Sequence, residues 1–371
     1  MPSYIRGLDG LRGIAIIIVM LFHFRLYEFG EIGIGIGWIG VQLFFVLSGF
    51  LITRILIQDK KYSLNIYLKK FYWRRALRIF PIYFAYLLIL TFSFWLFNFP
   101  PDLDNKAVWL YTYTYNFTRL SAEWSHSIFF THLWSLSVEE QFYLFWPFFI
   151  FFLRGAYLRV MLLFIIIGSP IIRWLLAEYL LTYTSLDHNS VGEAVYWFTL
   201  SHFDAFAMGA VLTIFKINEK VKLPGVACLY SLLVVLVLGI INLLIPHAEL
   251  YEISSLGYPI ASLEYGQHIW SYSVLNIFFA LLILWIASPS SWAIFSSPFL
   301  VSIGKVSYGM YLFHWAVLGA INQIITPINL SSLLVFILYL LAVYLIAWIS
   351  YNLFERHFLR LKDKVSPIKM S

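Results

Sequence analysis

Hydrophobic residues run through this chain in long blocks broken by short polar stretches. About ten blocks are long enough, or nearly so, to cross a bilayer as helices, which takes roughly 20 residues each. They cover residues 11–28, 38–57, 77–97, 136–153, 158–180, 202–215, 226–245, 271–288, 306–325 and 331–354. The sixth block is short, so an earlier start or a tilt is expected there. No Pro/Gly/Ser-rich linker and no soluble segment interrupts the series. The pattern therefore predicts a single all-α domain over residues 1–371. It would be a polytopic transmembrane helix bundle of about ten spans within 11–354, with a basic tail at 355–371.

Composition agrees with that class. The chain of 371 residues is 61% hydrophobic and only 12% charged, with mean hydropathy +0.81, which no soluble domain of this length matches. Residues 13–24 could pass for a signal-peptide core behind Arg6 and Arg12. Arg25, Leu26 and Tyr27 follow where a small-residue cleavage site should be, so a retained helix is expected. A single cysteine, Cys228, excludes an intramolecular disulfide.

The net charge of +6 reflects topology rather than nucleic-acid binding. With ten spans both termini lie on one side, and that side collects Lys60, Lys61, Lys69, Lys70, Arg154, Lys216, Lys305, Arg356 and many others. The opposite loops hold only Arg25, Lys106 and Arg119, while Glu28, Glu31, Asp102, Glu123, Asp187, Glu193, Glu249 and Glu252 gather there. Both termini should then be cytoplasmic, with the bilayer as the main partner.

Two features on the first span change the picture. Arg12 and His23 stand eleven residues apart. At about 100° per residue they share a helix face, separated by about 16 Å along the axis. A cation at one end and an imidazole deep in the bilayer make this face a candidate site, because ionisable groups in a membrane are costly. The competing reading is a histidine bonded to a neighbouring helix.

Other constellations point the same way. The inner loop at 58–76 is dense in cations and leads into Arg74, Arg75 and Arg78; the spacing of the last two puts both guanidiniums on one helix face. Guanidinium forks suit phosphate oxygens, although positive-inside topology explains a basic loop equally well. The outer loop at 98–135 holds Trp109, Tyr111, Tyr113, Trp124, His126, His132 and Trp134, a surface suited to sugar rings or to an interfacial belt. Trp134 to Tyr143 brings Glu139 and Glu140 to a membrane edge, where one can orient an imidazole and the other can cap the helix. Ser48-Gly49 inside the second span permits close helix approach and leaves a hydroxyl in the interior. Ser307, Tyr311 and His314 form a polar stripe on the ninth span. Arg173 needs a carboxylate partner, with Glu178 as one candidate. No metal-ligand spacing and no nucleotide-binding fingerprint is present.

Taken in order, these motifs resemble acyltransferase family 3, the bacterial integral-membrane O-acyltransferases that include O-antigen and exopolysaccharide O-acetylases. The resemblance runs from Leu8-Asp9-Gly10-Leu11-Arg12-Gly13 to about Arg356. It is carried by the Arg12/His23 pair, Phe44-Phe45-Val46-Leu47-Ser48-Gly49-Phe50, Arg75-x-x-Arg78, Trp134 to Tyr143, and Ser307-Tyr308-Gly309-x-Tyr311-Leu312-x-His314. One departure is His202, where the sixth span of this family often opens with Arg. The resemblance implies ten helices in a bacterial cytoplasmic membrane. It also implies transfer of an acyl group, usually acetyl, from cytoplasmic acyl-CoA to a hydroxyl of an extracytoplasmic or lipid-linked glycan.

His23 would be the catalytic residue, helped by Glu139 or Glu140 as the group that fixes its tautomer and raises its basicity. Arg12, Arg75 and Arg78, with Arg74 and Ser48, would hold the acyl-CoA, and Trp134, Tyr311 and His314 would line the acceptor site. No metal is expected. Some family members carry a further extracytoplasmic domain, so this chain would acylate its acceptor directly, act as an oligomer, or use a separate extracytoplasmic partner. The rival class is a transporter or flippase for a sugar or lipid-linked glycan, which buried His and Arg would also serve; no inverted repeat is visible to support it.

Overall fold

The structure is a computed structural model that describes residues 4–25, 34–100, 103–121, 124–244, 253–325 and 330–364. Glu28, Glu31, Asp102, Glu123, Glu249, Glu252 and the tail beyond Lys364 lie outside the described residues. The protein is all-α: among the described residues there are helices and turns and no strand.

Every apolar block of the sequence is occupied by a helix. The first five are α1 (Arg6–Arg25), α2 (Ile39–Asp59), α3 (Leu64–Phe97), α5 (Trp134–Phe152) and α6 (Gly155–Tyr183), with a short α4 (Ala107–Tyr111) in the loop between α3 and α5. The second half contributes α7 (His188–Trp197), α8 (Phe203–Ile214), a short α9 (Ile217–Lys220), α10 (Pro224–Leu244), α11 (Gln267–Ile286), α12 (Pro298–Ile325) and α13 (Ser332–Ser350). A π-helical turn, Tyr351–Glu355, joins α13 to the basic α14 (Arg356–Lys364). Among the described residues, seven helices are long and apolar enough to cross a membrane, and this is a multi-pass membrane protein. Helices α7 and α8 pass the same test together as a pair bent by 68°, a broken span or a re-entrant loop, of which the short sixth block is the second arm. Helices α5 and α12 fall below that apolarity because they carry Glu139, Glu140, Lys305 and His314 among their residues.

The inner basic stretch differs from its expected form. It is not a loop: α3 starts at Leu64 and runs unbroken through Lys69 to Arg78 and on to Phe97. The straight-chain Lys, Arg and Leu residues of this run favour helix, and Lys70 pairs with Asp59 at the end of α2. Proline occurs inside α3, α5 and α6, at Pro81, Pro147 and Pro170, as membrane helices tolerate.

Glycine sets the closest helix contacts. A Cβ on Gly10 of α1 would stand 1.8 Å from the Phe295 carbonyl oxygen, and one on Gly304 of α12 would stand 1.7 Å from that of Asp9. In α2, Gly49 faces the Phe206 carbonyl of α8 in the same way, at 2.0 Å. The Ser48-Gly49 pair thus permits close approach, as expected of it. Lipid-side faces stay apolar, as on α10, where Leu229, Leu233, Val237 and Ile240 are exposed.

Arg173 also departs from expectation. Its partner is Asp204 of α8, at 3.1 Å, and not Glu178. Its guanidinium further donates to the carbonyls of Ser201 (2.6 Å) and Ile269 (2.7 Å) and to Ser273 Oγ (2.7 Å). Asn276 Nδ2 donates to the other Asp204 oxygen at 3.2 Å. This cluster ties α6, α8 and α11 together.

Candidate active site

Three cavities lie in file along α1. The first is a vestibule of about 760 Å³ on the side of the chain termini, lined by Arg12, Arg54, Arg75, Arg78, Lys305, Arg356 and Arg360. The second is narrow, about 90 Å³, and shares Arg12, Arg75, Arg78 and Tyr308 with the vestibule. The third, about 400 Å³, shares Tyr311 and Val41 with the second and is walled by Trp38, Trp124, Trp134, Trp197 and Trp315 around His23 and His132. The helix face expected from the Arg12/His23 spacing is therefore real. Arg12 opens onto the first two cavities and His23 onto the third.

At the basic end, Arg12 Nη1 donates to Asp9 Oδ1 at 2.7 Å, one turn earlier on α1. Arg75 and Arg78, three apart on α3, face the same two cavities, as the spacing predicts. Arg75 lies over the Tyr143 ring at 5.7 Å. Arg74 does not join them: it lines neither cavity, and its Nε is buried with no hydrogen-bond partner. A set of cations from α1, α2, α3, α12 and α14 suits a ligand bearing several phosphates.

The middle cavity contains Ser48 and Glu139. Glu139 Oε1 accepts from both Ser48 Oγ and Tyr143 Oη. The structure thus corrects the expected pairing with His23, since Glu139 is committed one cavity away. Glu140 also stands away from the imidazole and lines none of the three cavities. Tyr311, between the second and third cavities, shares a 2.6 Å hydrogen bond with Ser135 Oγ, and its hydroxyl lies 3.0 Å from the His132 carbonyl.

In the third cavity the partner of His23 is another imidazole. His314 Nε2 lies 2.8 Å from His23 Nδ1, and the rings stack with centroids 4.9 Å apart. His314 is fully buried behind His23 and lines none of the three cavities, contrary to its expected place along the acceptor site. Trp134 does line the cavity and stacks on Trp197, centroids 5.7 Å apart and planes 10° apart. Opposite, Arg119 binds Glu193 at 2.8 Å and covers Trp124 at 4.5 Å. His132 Nε2 donates to the Leu312 carbonyl at 3.0 Å, leaving Nδ1 without a partner. His202 is structural: its Nδ1 accepts from Gln42 Nε2 at 2.9 Å and its Nε2 donates to the Tyr196 carbonyl. Among the described residues, no group of three His, Cys, Asp or Glu is placed to hold a metal ion.

Several site residues carried no role in the sequence reading. Arg54, Lys305, Arg356 and Arg360 complete the vestibule; the i, i+4 spacing of Arg356 and Arg360 was the available signal. Asp9 could have been paired with Arg12 by its i, i+3 spacing. Trp38 and Trp315 carried no such signal, because indoles are common throughout this chain.

Comparison with known proteins identifies the family. Residues 5–352 match the acyltransferase domain model of acyltransferase family 3. The peptidoglycan O-acetyltransferase OatA of Listeria monocytogenes is 29% identical over 369 residues, covering 95% of this chain and 55% of the relative. The O-acetyltransferase OatA of Staphylococcus aureus (strain NCTC 8325) is 28% identical over 375 residues, covering 95% of this chain and 57% of the relative. The chain spans about half the length of the curated relatives it matches. No solved structure is significantly similar. With the family match running over nearly the whole chain, this protein belongs to acyltransferase family 3.

Proposed function

We propose that this protein is a membrane O-acyltransferase of a bacterial cytoplasmic membrane, with ten spans and both termini in the cytoplasm. It moves an acyl group, acetyl above all, from cytoplasmic acyl-CoA to a hydroxyl of an extracytoplasmic or lipid-linked glycan. The observation that carries this reading is the file of three cavities, basic at the terminus side and aromatic at the other, with His23 in the last.

In this reading the donor's phosphates sit among Arg12, Arg75 and Arg78, and its thioester passes the Ser48 and Tyr311 constriction toward His23. The indole walls stack on the acceptor's apolar ring faces. His23 takes the proton of the acceptor hydroxyl as its oxygen attacks the thioester carbonyl. The carbon–sulfur bond then breaks, and the departing thiolate takes that proton from His23. One relative is named as a peptidoglycan O-acetyltransferase, which supports a glycan acceptor, and another as an O-acetyltransferase, which supports acetyl transfer to oxygen.

The test is purified protein in proteoliposomes with labelled acetyl-CoA, comparing the wild type with His23→Ala. Loss of turnover in the variant with CoA binding retained supports the reading. Equal turnover in both removes His23 from the chemistry. Sugar flux without CoA consumption replaces the enzyme reading with a transporter.

A further inference from the structure

The hydrogen bonds behind His23 determine where its proton sits. His314 Nδ1 lies 2.6 Å from the Tyr311 carbonyl oxygen. A carbonyl only accepts, so Nδ1 carries the hydrogen. In a neutral imidazole the other nitrogen is then a lone pair. That nitrogen, Nε2, is the one 2.8 Å from His23 Nδ1, so His23 Nδ1 must donate. His23 Nε2 is left unprotonated.

A doubly protonated His314 would break this order, but its surroundings oppose the extra charge. The side chain has no exposed surface, and the rings packed on it are His23 from α1, stacked, His132 from the turn before α5, edge-on, and Tyr311 and Trp315 of its own helix. His126, Glu193, Tyr196 and Tyr311 are the other titratable groups lining the third cavity, and Glu193 is bound to Arg119. An unpaired charge buried among imidazoles is costly.

We propose that His314 is a positioning residue. The chain from the Tyr311 carbonyl through His314 to His23 holds His23 in the tautomer whose Nε2 is the free base. This rests on the acyltransferase reading only for the use made of that base. When the acceptor hydroxyl gives its proton to His23 Nε2, its oxygen bonds the thioester carbon, and the thiolate that leaves carries the same proton away. His314 keeps its own hydrogen on Nδ1 throughout, and its Nε2 lone pair holds the imidazolium in place. The partner is neutral, where the sequence pointed to a carboxylate.

Two substitutions separate this role from simple packing. His314→Gln places an amide oxygen where Nε2 was, able to accept from His23 Nδ1; His314→Met fills similar volume with no comparable acceptor. Solid-state NMR of 15N-histidine-labelled protein in lipid reads the tautomer, with the His23 signal identified by its loss in His23→Ala. The expected result is an Nδ1–H His23 in the wild type and in His314→Gln, lost in His314→Met. The methionine variant should lose about 100-fold or more in kcat with KM for acetyl-CoA unchanged, since a wrong tautomer alone costs up to about 10⁴ in a histidine-based site. The glutamine variant should stay within about tenfold of wild type and keep its pH–rate profile. An Nε2–H His23 in the wild type overturns the proposal, as does a methionine variant with wild-type tautomer and rate. If the tautomers follow expectation but no form of the protein transfers acetyl, the relay stands and the proposed reaction falls.

Discussion

Arg173 Nη1 lies 3.1 Å from Asp204 Oδ2, and neither side chain has any exposed surface. Removing the cation leaves a carboxylate stranded between α6, α8 and α11. Arg173→Met should cost about 3–5 kcal/mol, measured by thermal unfolding in detergent. The double variant Arg173→Met/Asp204→Leu should be less destabilised than either single one, because it strands no charge.

The basic threshold predicts a graded donor effect. Arg75→Ala and Arg78→Ala each remove a charge-assisted contact of about 1.5–3 kcal/mol, so the affinity for CoA should fall roughly 10- to 100-fold. Arg74→Ala, from a residue outside both cavities, should change it by less than about twofold. A titration of CoA against the three variants checks this, and an Arg75→Ala protein with unchanged affinity would contradict the docking.

Glu139 should act on the donor side. Its carboxylate accepts from Ser48 and Tyr143, and Tyr143 in turn carries Arg75 over its ring. Glu139→Gln weakens these bonds by about 1–2 kcal/mol. The KM for acetyl-CoA should rise by about tenfold while the pH–rate profile keeps its shape. A displaced base limb would instead tie Glu139 to His23.

Backbone contact of α1 with α12 and with the turn Ala293–Ser296 just before it makes Gly10 and Gly304 sensitive to a single methyl. Each substituted Cβ would stand under 2 Å from a carbonyl oxygen of the other segment. Gly10→Ala or Gly304→Ala should destabilise by about 1–3 kcal/mol or more, seen as a lower unfolding temperature. Gly168→Ala, with open space around its Cβ, is the control and should leave that temperature nearly unchanged.

Much of this was legible in the chain. Long apolar blocks located the helices, and the Arg12/His23 and Arg75/Arg78 spacings placed those side chains on shared faces, because helix geometry is local. Pairings across helices were not legible. Glu178 was the carboxylate near Arg173 in sequence, and only the contact of α6 with α8 selects Asp204 instead. The preference of His23 for His314 over Glu139 likewise depends on how α1 and α12 meet, which glycine contacts fix and hydropathy does not record. The basic stretch before Arg75 reads as a loop by its charge, yet it is helix, since lysine and arginine are good helix formers whether or not a membrane surrounds them.

Because Arg12 and His23 belong to one unbroken helix, α1 behaves as a ruler. Under the proposed reaction it fixes the span between the donor's phosphates and its reactive carbon at about 16 Å, whatever acyl group is attached. The protein would then select donors by the length of the arm joining the nucleotide to the thioester. A compact donor such as acetyl phosphate, with no arm, would fall short of His23. A single residue inserted between Arg12 and His23 would turn the imidazole by about 100° and leave both ends intact but out of register with each other.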